Sequence, residues 1–142
     1  MILLPHLYDD QNIFAKILRS EIPNETVLET EFALAFNDIA PQAPVHVLVI
    51  PKGPYVCYDH LLSEGSSEEI LGFNNAILQV IQKLELSPMD GNSGYRIIAN
   101  AGVYGVQDVP HLHMHILSGR SLGRMIEKDW IYKVAWKINF FR

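Results

Sequence analysis

Ile70, Phe73, Ile77, Ile81 and Leu84 recur at steps of three and four residues with polar positions between them. That spacing predicts an amphipathic helix with one apolar face. Ser66 and Glu69 stand where a capping box would open it, and Pro88 marks its end. A shorter stripe, Ile13, Ile17 and Leu18 with Phe14 beside them, predicts a helix within QNIFAKILRSEIP that stops before Pro23. The other apolar runs are short and β-branched. ETVLET and FALAFND read as strands joined by a tight turn near Thr30 and Glu31. HVLVIPK, from His46, reads as a buried strand, bracketed by PQAP and PKGP because proline is unwelcome inside a central strand. YRIIAN and LHMHILS complete the strands, with the glycine-containing loop AGVYGVQD between them. Ile126, Trp130 and Val134, spaced i, i+4, i+8, predict a final helix. The order is α+β, with no internal repeat or linker, and 142 residues suggest one domain, 1–142.

Composition changes this picture little. An apolar fraction of 49% and a charged fraction of 19% suit a globular chain. No run approaches the ~18–20 apolar residues of a membrane span. MILLPHLYDD lacks a basic start and turns acidic at once, so it does not read as a signal peptide. A lone cysteine, Cys57, fits a reducing compartment, and a cytoplasmic location is expected. The net charge of −5 argues against stable nucleic-acid binding. The segment 121–142 differs: Arg124, Lys128, Lys133, Lys137 and Arg142 stand there against Glu127 and Asp129.

The chemistry is concentrated in HLHMH, which holds three of the six histidines within five residues. Side chains alternate along a strand, so His111, His113 and His115 would share one face while Leu112, Met114 and Ile116 enter the core. Three readings follow. The histidines are exposed on a half-buried strand; or they bind metal, with His46 or Asp108 as further ligands; or they act covalently on phosphorus. Histidine suits the last role because its unperturbed pKa of ~6.5 lets it serve as nucleophile or as cation. His113, flanked by two hydrogen-bond partners, is the natural nucleophile. Gly102 and Gly105 in the preceding loop would let backbone N–H groups approach a phosphate.

HLHMHIL fits the pattern of the histidine triad superfamily. IFAKILRSEIP, AFNDIAPQAPVHVLVIPK, GYRIIAN and LSGR, in that order, resemble its branch of histidine triad nucleotide-binding proteins, or Hint, over roughly residues 11–120. The resemblance implies a five-stranded antiparallel sheet with two helices, paired into a ten-stranded sheet in a homodimer. It implies hydrolysis of purine nucleoside 5′-phosphoramidates (AMP or GMP type) through a nucleotidyl-histidine, with no cofactor and no metal. His113 matches the nucleophile, His115 a phosphate-oxygen ligand, and His111 and His46 bracing histidines. Asp38 matches the carboxylate that holds the ribose. Phe14, Ile17, Phe36, Asn37 and Ile39 match the base pocket. Asn100 matches a side chain near phosphate and leaving group, and Gly105, Val106, Gln107 and Asp108 form the loop beside them. Bland roles remain open: the apolar set as core, Asp38 as a turn former, His46 as a structural histidine.

The chain also departs from that branch. Asp108 replaces a usual serine that donates toward the phosphate, and an ionised carboxylate cannot donate. Val106 replaces a frequent glycine, tolerable if its φ stays negative. The zinc cysteines of some relatives are missing, so no structural zinc is expected. The tail, 121–142, reads as a plain extension, a cover for a partner subunit's site through Trp130 or Trp136, or a basic segment at a membrane surface. The rival functions are a dinucleoside polyphosphate hydrolase of the fragile-histidine-triad type and a nucleotide-binding or regulatory protein with little turnover.

Overall fold

A computed structural model describes residues 7–126. The expected helix through Ile126, Trp130 and Val134, and the roles considered for Trp130 and Trp136, rest on residues outside that range. The elements run α1 (Ile13–Leu18), β1 (Thr26–Glu29), β2 (Ala33–Asn37), β3 (Val45–Pro51), α2 (Tyr58–Glu64), α3 (Ser67–Lys83), β4 (Arg96–Ala99) and β5 (Met114–Ser118). A short 3₁₀ turn, Pro88–Asp90, follows α3. All strand pairs are antiparallel, in the order β1-β2-β3-β5-β4.

The two faces of the sheet follow from strand alternation. Val47 and Val49 of β3 and Met114 and Ile116 of β5 meet Phe73, Ala76, Ile77, Val80 and Ile81 of α3. Phe73 and Val80 are fully buried, which explains why the three-four stripe specifies this helix. Both hydrogen bonds of the Ser66–Glu69 capping box are present. The opposite face carries a smaller cluster, in which Phe14 and Ile17 of α1 cover Leu34, Phe36, Leu48 and Ile50. His46 lies in register with Leu117, and His115 with Leu48, so this second face also carries the histidines.

Two local readings need correction. The implied two helices are three among the described residues. The added α2 is only seven residues long, has no side-chain cap at Cys57, and buries His60 and Leu61, too little for a periodic signal. Helix α1 ends at Leu18, ahead of Pro23 as the spacing implies, and Ser20 turns left-handed just beyond it at φ 62°. The last strand starts at Met114, so His111 and His113 lie upstream of the ladder instead of within it. Leu112 nonetheless enters the α3-side core with Met114 and Ile116, as alternation requires.

Candidate active site

The site lies where β3, β5 and the loop before β5 converge with α1. Neighbouring bonds hold the histidine stretch where no ladder does. Leu112 N–H donates to Tyr55 O at 2.8 Å and His111 N–H to Val109 O at 2.9 Å.

Each imidazole has a proton position set by a partner that has no choice. A carbonyl only accepts, so His113 Nδ1, 2.7 Å from His111 O, carries the proton. Burial lowers the pKa of His113 most, opposed by the His111 carbonyl and by the negative charges of Asp38 and Asp108. A neutral His113 with Nδ1–H has its lone pair on Nε2. Its ring lies edge-on to Phe14, with centroids 4.9 Å apart, and is 7% exposed.

The second chain of bonds runs through His46. Gln42 N–H donates to His46 Nδ1 at 3.0 Å, so the His46 proton sits on Nε2. That nitrogen lies 2.9 Å from His115 Nδ1 and 3.4 Å from Asp38 Oδ2. His115 Nδ1 therefore accepts, and its own proton is on Nε2. Burial, with His113 and His46 adding to it, takes the His115 pKa down to about 4, which keeps the ring neutral. Asp38 has two tasks: Oδ1 accepts from Ala40 N–H at 2.8 Å and closes a turn, while Oδ2 faces His46.

His111 is fully buried. Its Nε2 donates to Pro51 O at 2.8 Å, so Nδ1 must accept, and the Tyr8 hydroxyl, 2.6 Å away, donates to it. Burial takes this imidazole's pKa down to about 4, with His113 adding to the effect. Tyr8 escaped the sequence analysis. A single tyrosine 103 residues from its partner leaves no pattern to read.

The remaining expected residues divide. Phe14, Ile17 and Phe36 are together but buried as core, each 4–7% exposed. Ile39 is 97% exposed and apart from that cluster. Asn37 ends β2, half-buried. Asn100 directly follows Ala99, the last residue of β4, which pairs with Met114. Gly105 is required by close approach, since a Cβ there would stand 2.5 Å from Ala101 O. The loop's N–H groups are engaged within it: Val106 N–H donates to Val103 O and Gln107 N–H to Gly102 O, both at 3.1 Å. Gln107 Nε2 donates to Val56 O at 2.6 Å and Val109 O at 2.9 Å, pinning the loop to the segment after β3. Val106 has φ 52°, not the expected negative value. A β-branched residue there is strained, and the tight turn around Gly105 imposes it. Asp108 is exposed, and its charge reaches His113.

Asp38, His46 and His115 bring ligand atoms within 4.8 Å of one another, the arrangement a metal could use. The donor chemistry argues for a proton instead. His46 Nε2 and His115 Nδ1 already share one hydrogen bond, and a cation would have to displace it. Cys57 does not extend the set. Its thiol donates to Asp59 Oδ1, and burial followed by that bond pushes its pKa up, away from the thiolate a metal needs.

Comparison with known proteins gives a consistent result. A family model described as HIT domain matches residues 19–122. An uncharacterized 13.2 kDa HIT-like protein of Azospirillum brasilense is 50% identical over 121 residues, 85% of this chain and 96% of its own length. The purine nucleoside phosphoramidase of Escherichia coli K12 is 38% identical over 117 residues, 82% of this chain and 94% of its own length. Among solved structures, a histidine triad protein from Clostridium difficile superposes with a TM-score of 0.70 at 32% identity, covering 89% of this chain and all of its own.

Proposed function

The chain belongs to the HIT domain family, and from that premise we propose that it hydrolyses purine nucleoside 5′-phosphoramidates through a nucleotidyl-histidine intermediate. The observation that carries this reading is the His113 tautomer, with Nδ1–H held on the His111 carbonyl and the Nε2 lone pair left for attack.

The reaction follows in two displacements. His113 Nε2 attacks the α-phosphorus, an N–P bond forms, the bond to the leaving nitrogen breaks, and that nitrogen takes a proton from solvent and departs as the amine, a proton that the attacking water returns to solvent in the second step. The ring then carries positive charge, which the Nδ1–H bond to His111 O stabilises. Water next attacks the same phosphorus, the bond to His113 breaks, and nucleoside monophosphate and neutral histidine are regenerated. His115, with its proton on Nε2, is the donor for a phosphate oxygen, and the Gln42–His46 chain holds it in that tautomer. Within this reading we assign Asp38 to the ribose hydroxyls, Asn100 to the leaving group, and Phe14 and Ile17 to the back of the base pocket, with Ile39 at its exposed rim.

A homodimer joined through β4 belongs to the same proposal. β4 is a sheet edge, and Tyr95, Ile97 and Ile98 on and beside it are 42%, 40% and 37% exposed. No helix among the described residues is long and apolar enough to cross a membrane. We place the protein in the cytoplasm as part of this reading.

The test is release of AMP from adenosine 5′-phosphoramidate in excess EDTA, with His113→Ala alongside. Turnover that survives EDTA and is lost in the variant is expected. One observation, the Asp108 carboxylate acting on His113, favours a second reading as a nucleotide-binding protein with little turnover. AMP binding without turnover in the folded wild type would select it. Faster cleavage of diadenosine triphosphate than of the phosphoramidate would select the polyphosphate hydrolase.

A further inference from the structure

Tyr8 precedes α1 and lies outside the residues that the HIT family model matches. Its hydroxyl is 2.6 Å from His111 Nδ1, and the two rings meet edge-on with centroids 5.5 Å apart and planes at 68°. From this geometry we infer that Tyr8 is a positioning residue for phosphoryl transfer, acting through His111 on the nucleophile His113. The inference rests on the reading of His113 as nucleophile.

His113 Nδ1–H points at the backbone carbonyl of His111, two residues earlier. In a strand interior, ladder hydrogen bonds would fix that carbonyl's residue. Here the ladder begins only at Met114. Two backbone bonds, His111 N–H to Val109 O and Leu112 N–H to Tyr55 O, hold the segment in the ladder's place, and the His111 side chain adds a clamp at both ring nitrogens. Nε2–H donates to Pro51 O at 2.8 Å, and the Tyr8 hydroxyl donates to Nδ1 at 2.6 Å. The clamp is complete only with both partners, since one hydrogen bond leaves an imidazole free to pivot about the bonded nitrogen.

Burial keeps His111 neutral, and so keeps positive charge away from the cation that forms on His113 during attack. Tyr8, donating to the unprotonated Nδ1, occupies the one ring nitrogen that Pro51 leaves open. Burial raises the tyrosine's own pKa, so it remains an O–H donor throughout the useful pH range. Phe14, edge-on to both His111 and His113 at 6.4 and 4.9 Å, fills the space between α1 and the two rings.

The test compares Tyr8→Phe and Tyr8→Leu with wild type in steady-state phosphoramidate hydrolysis, melting temperature, and ¹⁵N NMR of the histidine tautomers. Tyr8→Phe keeps the ring and removes only the hydroxyl. A kcat lower by about ten-fold or more with little change in KM is expected, the size set by misplacing a reacting group by a fraction of an ångström. The two variants should be comparably slow, because phenylalanine restores packing but not the bond. His113, a single Nδ1–H tautomer in wild type, should become mixed in Tyr8→Phe. Wild-type kcat and an unchanged His113 tautomer in Tyr8→Phe would overturn the inference, whatever the melting temperature does. Full rescue of kcat by phenylalanine over leucine would also overturn it and make Tyr8 a packing residue. If wild type itself shows no turnover, the proposed activity fails instead, and the tautomer spectrum still decides whether Tyr8 governs His113.

Discussion

Burial of His111 makes the folded state sensitive to acid, and the size of the effect can be worked out. An unfolded histidine titrates near ~6.5, whereas folding takes His111 down to about 4. Well above 6.5 the ring is neutral in both states and its contribution is fully present. As pH falls from 6.5 toward 4, the unfolded chain binds a proton that the folded chain refuses, so stability falls. The gap sets a ceiling of about 3 kcal/mol at ~1.4 kcal/mol per pH unit, of which about 2 kcal/mol is expressed between ~pH 7 and ~pH 4.5. The perturbation is His111→Gln. Glutamine can donate its amide N–H to Pro51 O and accept from Tyr8 with its oxygen, yet it does not titrate. Urea unfolding of both proteins across this range is the assay. His115 shifts in the same direction and is present in both, so it cancels in the difference. Wild type should lose about 2 kcal/mol more than the variant on acidification. Parallel stability–pH curves would refute the claim that His111 is buried neutral.

Other outcomes follow from single contacts. Asp108→Ser should raise kcat/KM or shift leaving-group preference, because it removes a carboxylate acting on His113 and restores a donor; identical kinetics would remove the argument. Val106→Gly should stabilise the protein by about 1 kcal/mol in urea titration, as relief of left-handed strain outweighs the added freedom of the unfolded glycine. Asn12→Ala should cost about 1 kcal/mol, since its Oδ1 caps both Phe14 N–H and Ala15 N–H of α1. Phe73→Ala should cost about 3–5 kcal/mol, the result of opening a cavity in a fully closed core, seen as a lower urea midpoint.

These contacts also divide what could be read along the chain from what could not. The sequence by itself determined the elements whose information is local. The stripe from Ile70 to Leu84 and its capping box specify α3 because a helix repeats its face every three to four residues. The alternation through HLHMHILS sent Leu112, Met114 and Ile116 into the core because a strand repeats every two. The triad was legible as residue types in a pattern, whereas His46 was read as its brace only through the family resemblance. Short α2 and the left-handed Ser20 and Val106 were not, since none carries a period and the conformations are imposed by neighbours. Only the tertiary structure decided the protonation of the site. Which nitrogen of His113 is free depends on the His111 carbonyl, and the tautomer of His115 on Gln42 through His46. The state of His111 depends on Pro51 and on Tyr8, 103 residues away. A proton's position is fixed by the partner in space, and the chain's order does not record which partner that will be.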